Sequence, residues 1–272
     1  MTVPSPADSP HMRNRLLVLT VSLCAVSLIA ARADAQVVPG EDHVGEVGVM
    51  FQSPTPTLVL STSAISGLTD KVDFVKEFGI EKKRFPAFQA TLGSHHKFRL
   101  SYIDIKYDAS ATIQRTFTFG NRTFRIGAPA TTNIEWKLWN VGYEWDFVHR
   151  ERGFFGLLAD VKVNQITASV ASAALSSPAA IDTTAPVPTI GVIGRGYVVP
   201  AVSLTGEFTG LKVDRSDFMA KFTDFNLYGT VNFGRNLGAE LGYRSVVVNY
   251  DVDQDSGDLK LQGPYVGAVV KF

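Results

Sequence analysis

The sequence predicts an all-β fold, a closed antiparallel transmembrane β-barrel of about ten strands, with eight and twelve as the alternative counts. Three observations carry this. Beyond residue 40, segments of about ten residues alternate apolar and polar side chains, the period-two pattern of strands with two unlike faces. No apolar run in that region approaches the ~20 residues a spanning helix needs. The N-terminus carries an export segment, which sends the remainder out of the cytoplasm.

In that segment Arg13 and Arg15 precede an uncharged, mainly apolar run from Leu16 to Ala30, followed by the small-x-small sites Ala31–Ala33 and Ala33–Ala35. The run is short for a membrane anchor, so residues 1–35 are read as a removable signal peptide and residues 36–272 as one barrel domain. The only cysteine, Cys24, leaves with the signal, and Leu23 before it is not the small residue a lipid-anchor site requires. Removing three of the 26 basic and two of the 26 acidic residues with that segment leaves 23 and 24. Such a balance has no basic stripe for nucleic acid.

The alternation is clearest between Phe155 and Val163. Phe155, Leu157, Ala159, Val161 and Val163 share one face; Gly156, Asp160, Lys162 and Asn164 share the other. Phe225, Leu227, Val231 and Phe233 likewise oppose Asp224, Asn226, Thr230 and Asn232, while Val202, Leu204 and Phe208 oppose Ser203, Thr205, Glu207 and Thr209. A soluble sandwich or lipocalin-like barrel also alternates, with its apolar face inward. Export, together with the last ten residues, favours the membrane. There Val266, Ala268, Val270 and Phe272 share a face and an aromatic ends the chain.

That closing strand resembles the terminal recognition strand of bacterial outer-membrane barrels. The resemblance implies recognition by the barrel-assembly machinery through Phe272, Val270, Ala268 and Val266, residence in the outer membrane, and contact with its lipid and lipopolysaccharide. The segments Asp73–Gly79 and Leu241–Arg244 resemble pieces of an uncharacterised group of such barrels, which carries no assigned chemistry. The chain is similar to OmpA-type barrels without their peptidoglycan-binding domain.

Ten strands are expected near 44–52, 84–94, 97–108, 132–147, 153–168, 187–198, 201–213, 219–234, 237–250 and 258–272. An even number puts both ends of the barrel on one side, with short turns there and long loops opposite. Pro54 and Pro56 weaken the first strand, and Thr57–Ser61 and Thr112–Phe119 are either added strands or extensions. Asp73–Phe78 reads equally as a short helix capped by Gly79 or as strand. Apolar parity changes near Leu138 and again near Gly263–Pro264, predicting a β-bulge at each. Aromatic girdles are expected at the turn end (Trp145, Phe147, Phe155, Phe233, Phe272) and at the loop end (Phe117, Phe119, Trp136, Phe222, Phe225).

With lipid outside, charged strand residues belong in the lumen, because a charge facing mid-bilayer costs about 2–4 kcal/mol. The expected lining is Arg99, Glu135, Lys137, Glu144, Asp146, Asp160, Lys162, Arg195, Glu207, Asp224, Glu240 and Arg244. Signs nearly balance, and a barrel this narrow is filled by side chains that must pair when buried. A largely filled lumen with a structural or surface-interaction role is therefore expected. The alternative is a narrow channel for ions or small solutes, and less favoured are an outer-membrane enzyme or a soluble secreted binder. His43, His95, His96 and His149 all fall at the turn end with no His-x-Ser or Asp-x-His pair, so no catalysis is expected. Asp251, Asp253 and Asp255 alternate as cation ligands do, but Gly257 stands seventh rather than sixth and Gln262 replaces the closing Glu. They are read as a solvated acidic hairpin loop, with no metal, cofactor or nucleic acid expected.

Overall fold

The computed structural model describes residues 41, 43–61, 71–119, 122–173, 177–215, 218–252 and 255–272; the expected signal peptide lies outside them. In chain order come β1 (Gly45–Gln52), β2 (Thr55–Ser61), β3 (Val72–Asp73), the helix α1 (Phe74–Phe78), β4 (Phe85–Gly93), β5 (His96–Thr112), β6 (Phe117–Phe119) and β7 (Arg122–Phe124). They are followed by β8 (Pro129–Arg150), β9 (Gly153–Ser172), β10 (Ala179–Val199), β11 (Val202–Arg215), β12 (Phe218–Phe233), β13 (Leu237–Val252) and β14 (Asp255–Lys271).

Ten of these form the wall in the order β1-β4-β5-β8-β9-β10-β11-β12-β13-β14, each antiparallel to the next, and β1 pairs with β14 to close it. The seam runs from Glu46↔Lys271 to Gln52↔Tyr265, and the Val44 and Gly45 amides donate to the Phe272 carbonyl at 2.8 and 2.9 Å. Closure leaves no unpaired edge within the lipid-facing zone, the condition hydrocarbon imposes. Strand ends match the sequence expectation within a few residues, except that β10 starts earlier, at Ala179. The turns β4–β5, β8–β9, β10–β11 and β12–β13 are short and share one end with both ends of the barrel, and Gly93 and Gly153 turn there with φ of 125° and 140°.

Neither expected bulge forms. Across Leu138 the β8–β9 register is unbroken, and Ile134, Trp136, Leu138, Asn140, Gly142 and Glu144 all face inward; the one shift lies between Asp146 and Val148. At Gly263–Pro264 the β13 register also continues, with Tyr243↔Pro264. On the other side, β2 keeps the register of β1 along β14, Thr55↔Gln262 after Gln52↔Tyr265, so Thr57–Ser61 extends the first strand instead of adding one. Parity changes because the interior itself turns apolar toward the loop end.

That apolar interior is built by the two long loops folding inward. Asp73 caps α1 by accepting from the Lys76 amide at 3.2 Å, and Gly79 ends it at φ 63°. Phe74 and Phe78 from α1 meet Phe117, Phe119 and Phe124 of the β6–β7 hairpin, with Phe74 edge-on to Phe119 at 5.2 Å and Phe78 edge-on to Phe117 at 6.5 Å. Beneath them Leu58, Leu60, Ile105, Tyr107, Ile134, Trp136, Phe222, Leu259 and Leu261 complete a buried cluster. Each fully buried side chain of this kind contributes about 1.5–3 kcal/mol. Phe117, Phe119, Trp136 and Phe222 are therefore core residues; of the expected loop-end girdle only Phe225 faces outward. The turn-end girdle does face outward, Trp145, Phe147, Phe155, Phe233 and Phe272 all being exposed.

On the outer wall β5, β8, β9 and β12 are apolar in their turn-proximal parts and then polar: Tyr102 gives way to Asp104, Trp139 to Lys137, Val163 to Gln165, Phe225 to Thr223. The change follows the hydrogen-bonded register, Asp104 opposing Lys137 and Lys137 opposing Gln165. From Trp139 to Phe147, at about 3.3 Å per residue and a tilt of about 40°, the apolar band spans roughly 20 Å, close to the ~25 Å of outer-membrane barrels. Near its upper edge the wall parts. The β10–β11 ladder ends at Ile190↔Gly210, while β10 continues along β9 to Ala179 with Pro186 and Pro188 at alternate positions. Prolines of like parity leave one strand edge without amide donors, which blunts it against further pairing.

The three tryptophans report these faces. Trp136 is 1 % exposed and hydrogen-bonded to Asn164 inside; Trp139 and Trp145 are 40 % and 45 % exposed outside. In single-tryptophan variants reconstituted into bilayers of brominated lipid, fluorescence of Trp139 and Trp145 should be strongly quenched and that of Trp136 nearly unchanged. Quenching of Trp136 alone would reverse the assignment of faces.

Candidate functional site: the charged interior and its cap

Below the apolar cluster the lumen is polar, and its charges form a chain of contacts. Near the turns, Lys97 Nζ lies 2.8 Å from Glu144 Oε1 and 2.7 Å from Asp146 Oδ2, with the Phe154 ring under it at 3.6 Å. Arg99 donates to Glu144 and, through Nη2 at 2.9 Å, to Glu207 on the opposite wall. Tyr228 adds its hydroxyl to Glu207 at 3.2 Å. Arg195 clamps Glu46 through two parallel bonds of 2.6 and 3.0 Å, while its Nε donates to Thr205 at 3.0 Å. Lys271 and His43 complete the surroundings of Glu46 at 3.4 and 2.7 Å. At mid-lumen Arg244 makes a second two-pronged pair, with Asp224 at 3.0 and 2.8 Å, and Lys162 joins that carboxylate at 3.0 Å.

Three of these contacts join strands that are not neighbours: β5 to β11, β10 to β1 and β9 to β12. They cross the lumen as struts. Two-pronged arginine pairs fix orientation as well as distance, and their burial makes loss of one partner costly. Glu240 differs: its hydrogen bonds come from Gln89 at 3.2 Å and Thr230 at 3.4 Å.

Glycines make room for the buried aspartates. Gly142 faces Asp160 across β8–β9, and Gly156 faces Asp146. A Cβ at Gly142 would collide with Asp160 Oδ1, and one at Gly156 would lie 2.5 Å from Asp146 Oδ1. The short residue opposite each acid lets the carboxylate fold flat against the wall. Asp160, Asn140 and Thr209 line a small polar cavity at this level.

Of the expected lining, Arg99, Glu144, Asp146, Asp160, Lys162, Arg195, Glu207, Asp224, Glu240 and Arg244 point inward. Glu135 and Lys137 do not. With no bulge at Leu138 their parity is that of Trp139, so they stand on the outer wall above the apolar band. There Glu135 pairs with Lys106 at 2.8 Å and Lys137 at 3.0 Å. Glu46, Lys97 and Lys271 belong to the network and were not anticipated, although Lys97 shares the parity of Arg99, and Lys271 the parity opposite Phe272. Val266, Ala268, Val270 and Phe272 lie together on the outer face of β14. Asp253 lies outside the described residues; Asp251 and Asp255 belong to the β13 and β14 ends that flank it. Among the described residues no group of three or more His, Cys, Asp or Glu is placed to hold a metal ion. The histidines sit at the turn end: His95 and His149 stack at 4.3 Å, and His96 bonds Tyr143.

Asp224→Ala should strand Lys162 and Arg244 in the lumen and cost about 3–5 kcal/mol, whereas Asp104→Ala on the outer wall should cost under about 1 kcal/mol. Urea unfolding of both variants in detergent micelles measures the difference, and equal midpoints would remove the struts from the stability of the barrel.

No known family model matches this sequence, and no curated protein is detectably similar to it. Solved structures are similar in fold. The outer membrane protease OmpT from Escherichia coli superposes with a TM-score of 0.54 at 8 % identity, over 85 % of this chain and 97 % of that one. Ail, the attachment invasion locus protein of Yersinia pestis, matches 84 % of this chain and 99 % of its own at a TM-score of 0.33 and 8 % identity. The toluene transporter TodX of Pseudomonas putida matches 84 % and 88 % at 0.30 and 9 %. At these identities the likeness is one of fold alone, and it is carried by the barrel of the outer membrane protease.

Proposed function

We propose that this protein resides in the bacterial outer membrane as a closed, non-conducting and non-catalytic barrel that acts through its loop-end surface, in a structural or surface-binding role. The observation that carries this reading is the filled interior. Ion pairs cross the lower lumen from wall to wall, and a cluster of interlocked aromatic side chains closes the upper half. An ion entering from the turns meets paired charges and then a region lined mainly by apolar side chains, with few polar groups to replace its hydration, which is a steep barrier.

In this reading the short turns lie in the periplasm and the long loops outside. The outward row Val266, Ala268, Val270 and Phe272 is what the barrel-assembly machinery reads, and lipid and lipopolysaccharide surround the apolar band. The histidines favour a non-catalytic role by position: they sit at the end opposite the long loops, and His43 is committed to Glu46.

Purified protein added to planar lipid bilayers should insert without steady conductance, and its gel migration should shift on boiling, as folded barrels do. Sustained ohmic current that Glu207→Ala alters would overturn the closed-lumen reading.

A further inference from the structure

We infer that the cap binds a sulfated polysaccharide across a cationic face made by α1, residues 80–84 and the β6–β7 hairpin. The inference rests on the surface-binding role proposed above and names the partner's chemistry.

Charge is segregated at the loop end although the whole chain has a formal net charge of zero. The described segments at the cap, residues 71–84, 113–119 and 122–128, carry eight lysines and arginines against three carboxylates, and the last two contain three arginines and no acid. The stretch that joins β13 to β14 carries Asp251, Asp253 and Asp255 with no cation. The described cationic segments are anchored to one another. Arg115, just before the hairpin, donates to Glu77 of α1 at 2.6 Å and to the Lys71 carbonyl at 2.8 Å, which holds the two segments together.

Two of the three described carboxylates on that surface are committed, and Glu81 is exposed. Asp73 caps α1 and pairs with Lys76 at 3.2 Å, and Glu77 pairs with Arg115. Lys82, Arg84 and Arg125 are exposed and have no ion-pair partner among the described residues, and Lys83 has only a distant one, Asp108 at 3.8 Å. Surplus cations on a rigid base form a field that attracts a polyanion, and guanidinium groups match the oxygens of sulfate with paired hydrogen bonds.

The same face disfavours other anionic partners. A single nucleic-acid strand needs exposed rings on which bases stack, but Phe74, Phe78, Phe117, Phe119 and Phe124 are all turned into the core. An acidic protein needs an apolar centre to its interface, and Ile126 is the exposed large hydrophobic residue the hairpin offers. A flexible chain of sulfated sugars requires neither ring nor apolar patch.

The test uses the full processed chain refolded into zwitterionic nanodiscs, with heparin as the probe and uncharged dextran as control. Heparin should bind and dextran should not, with affinity falling at least about tenfold between about 50 and 200 mM salt as counterions are released. The triple variant Lys82→Glu, Arg84→Glu, Arg125→Glu should lose at least about thirtyfold in affinity while keeping its boiling-dependent gel shift. Lys212→Glu with Lys221→Glu, on the outer wall of β11 and β12, should leave binding unchanged. Absence of heparin binding, survival of binding in the triple variant, equal loss in the β11–β12 variant, or tighter binding of single-stranded DNA would each overturn the proposal. Bilayer recordings on the same preparation separate the two readings. A silent barrel that ignores heparin sinks only this inference, whereas a conducting one sinks the closed-lumen reading.

Discussion

Everything in this molecule follows from the cost of leaving a backbone amide unpaired in hydrocarbon. Several kcal/mol per group forbid an open sheet edge within the bilayer, so the first and last strands must meet. The seam of β1 against β14 meets that requirement. Closure also divides side chains into two populations by parity alone, one for lipid and one for an interior too narrow to be left to solvent.

The interior is filled in two ways that belong to different depths. Toward the turns it is filled by charge, and most of the ions have a partner at a fixed place on another strand. Such pairs add little net stability over a well-packed apolar core, but they penalise any other register severely. A one-residue slip would place Lys162 or Asp224 against lipid and strand the partner left behind. Toward the loops the filling is apolar, supplied by chain that leaves the wall and returns inside it. The loops are thus part of the barrel's core and not merely its decoration.

What the sequence made legible was the outer face. Alternation along β9, β11, β12 and β14 identified the lipid side, the ten strands, the turn end and ten members of the interior network. The errors share one cause, the rule that apolar means lipid-facing. Ile134, Trp136 and Leu138 are apolar because Phe74 and Phe119 pack over the same interior, and Leu259 and Leu261 because β2 and the cap do. Nothing local to those strands records where residues 74–78 and 117–124 will fold. Holding parity constant through Leu138 would have put Glu135 and Lys137 outside, and carrying it back from Arg99 would have found Lys97. Glu46 was harder, since the strand bearing it is short and followed by two prolines.

The parting of β10 from β11 above Ile190 means that the rim is not a complete hoop. Below that point the backbone ladder runs all the way round the circumference; above it, β10 and β11 each keep one neighbour, like the two margins of a slit cuff, and β5 likewise keeps only β8 beyond Ile103. Backbone hydrogen bonds therefore do not carry a displacement of one margin across to the other, whereas the closed ladder below couples every strand to two neighbours.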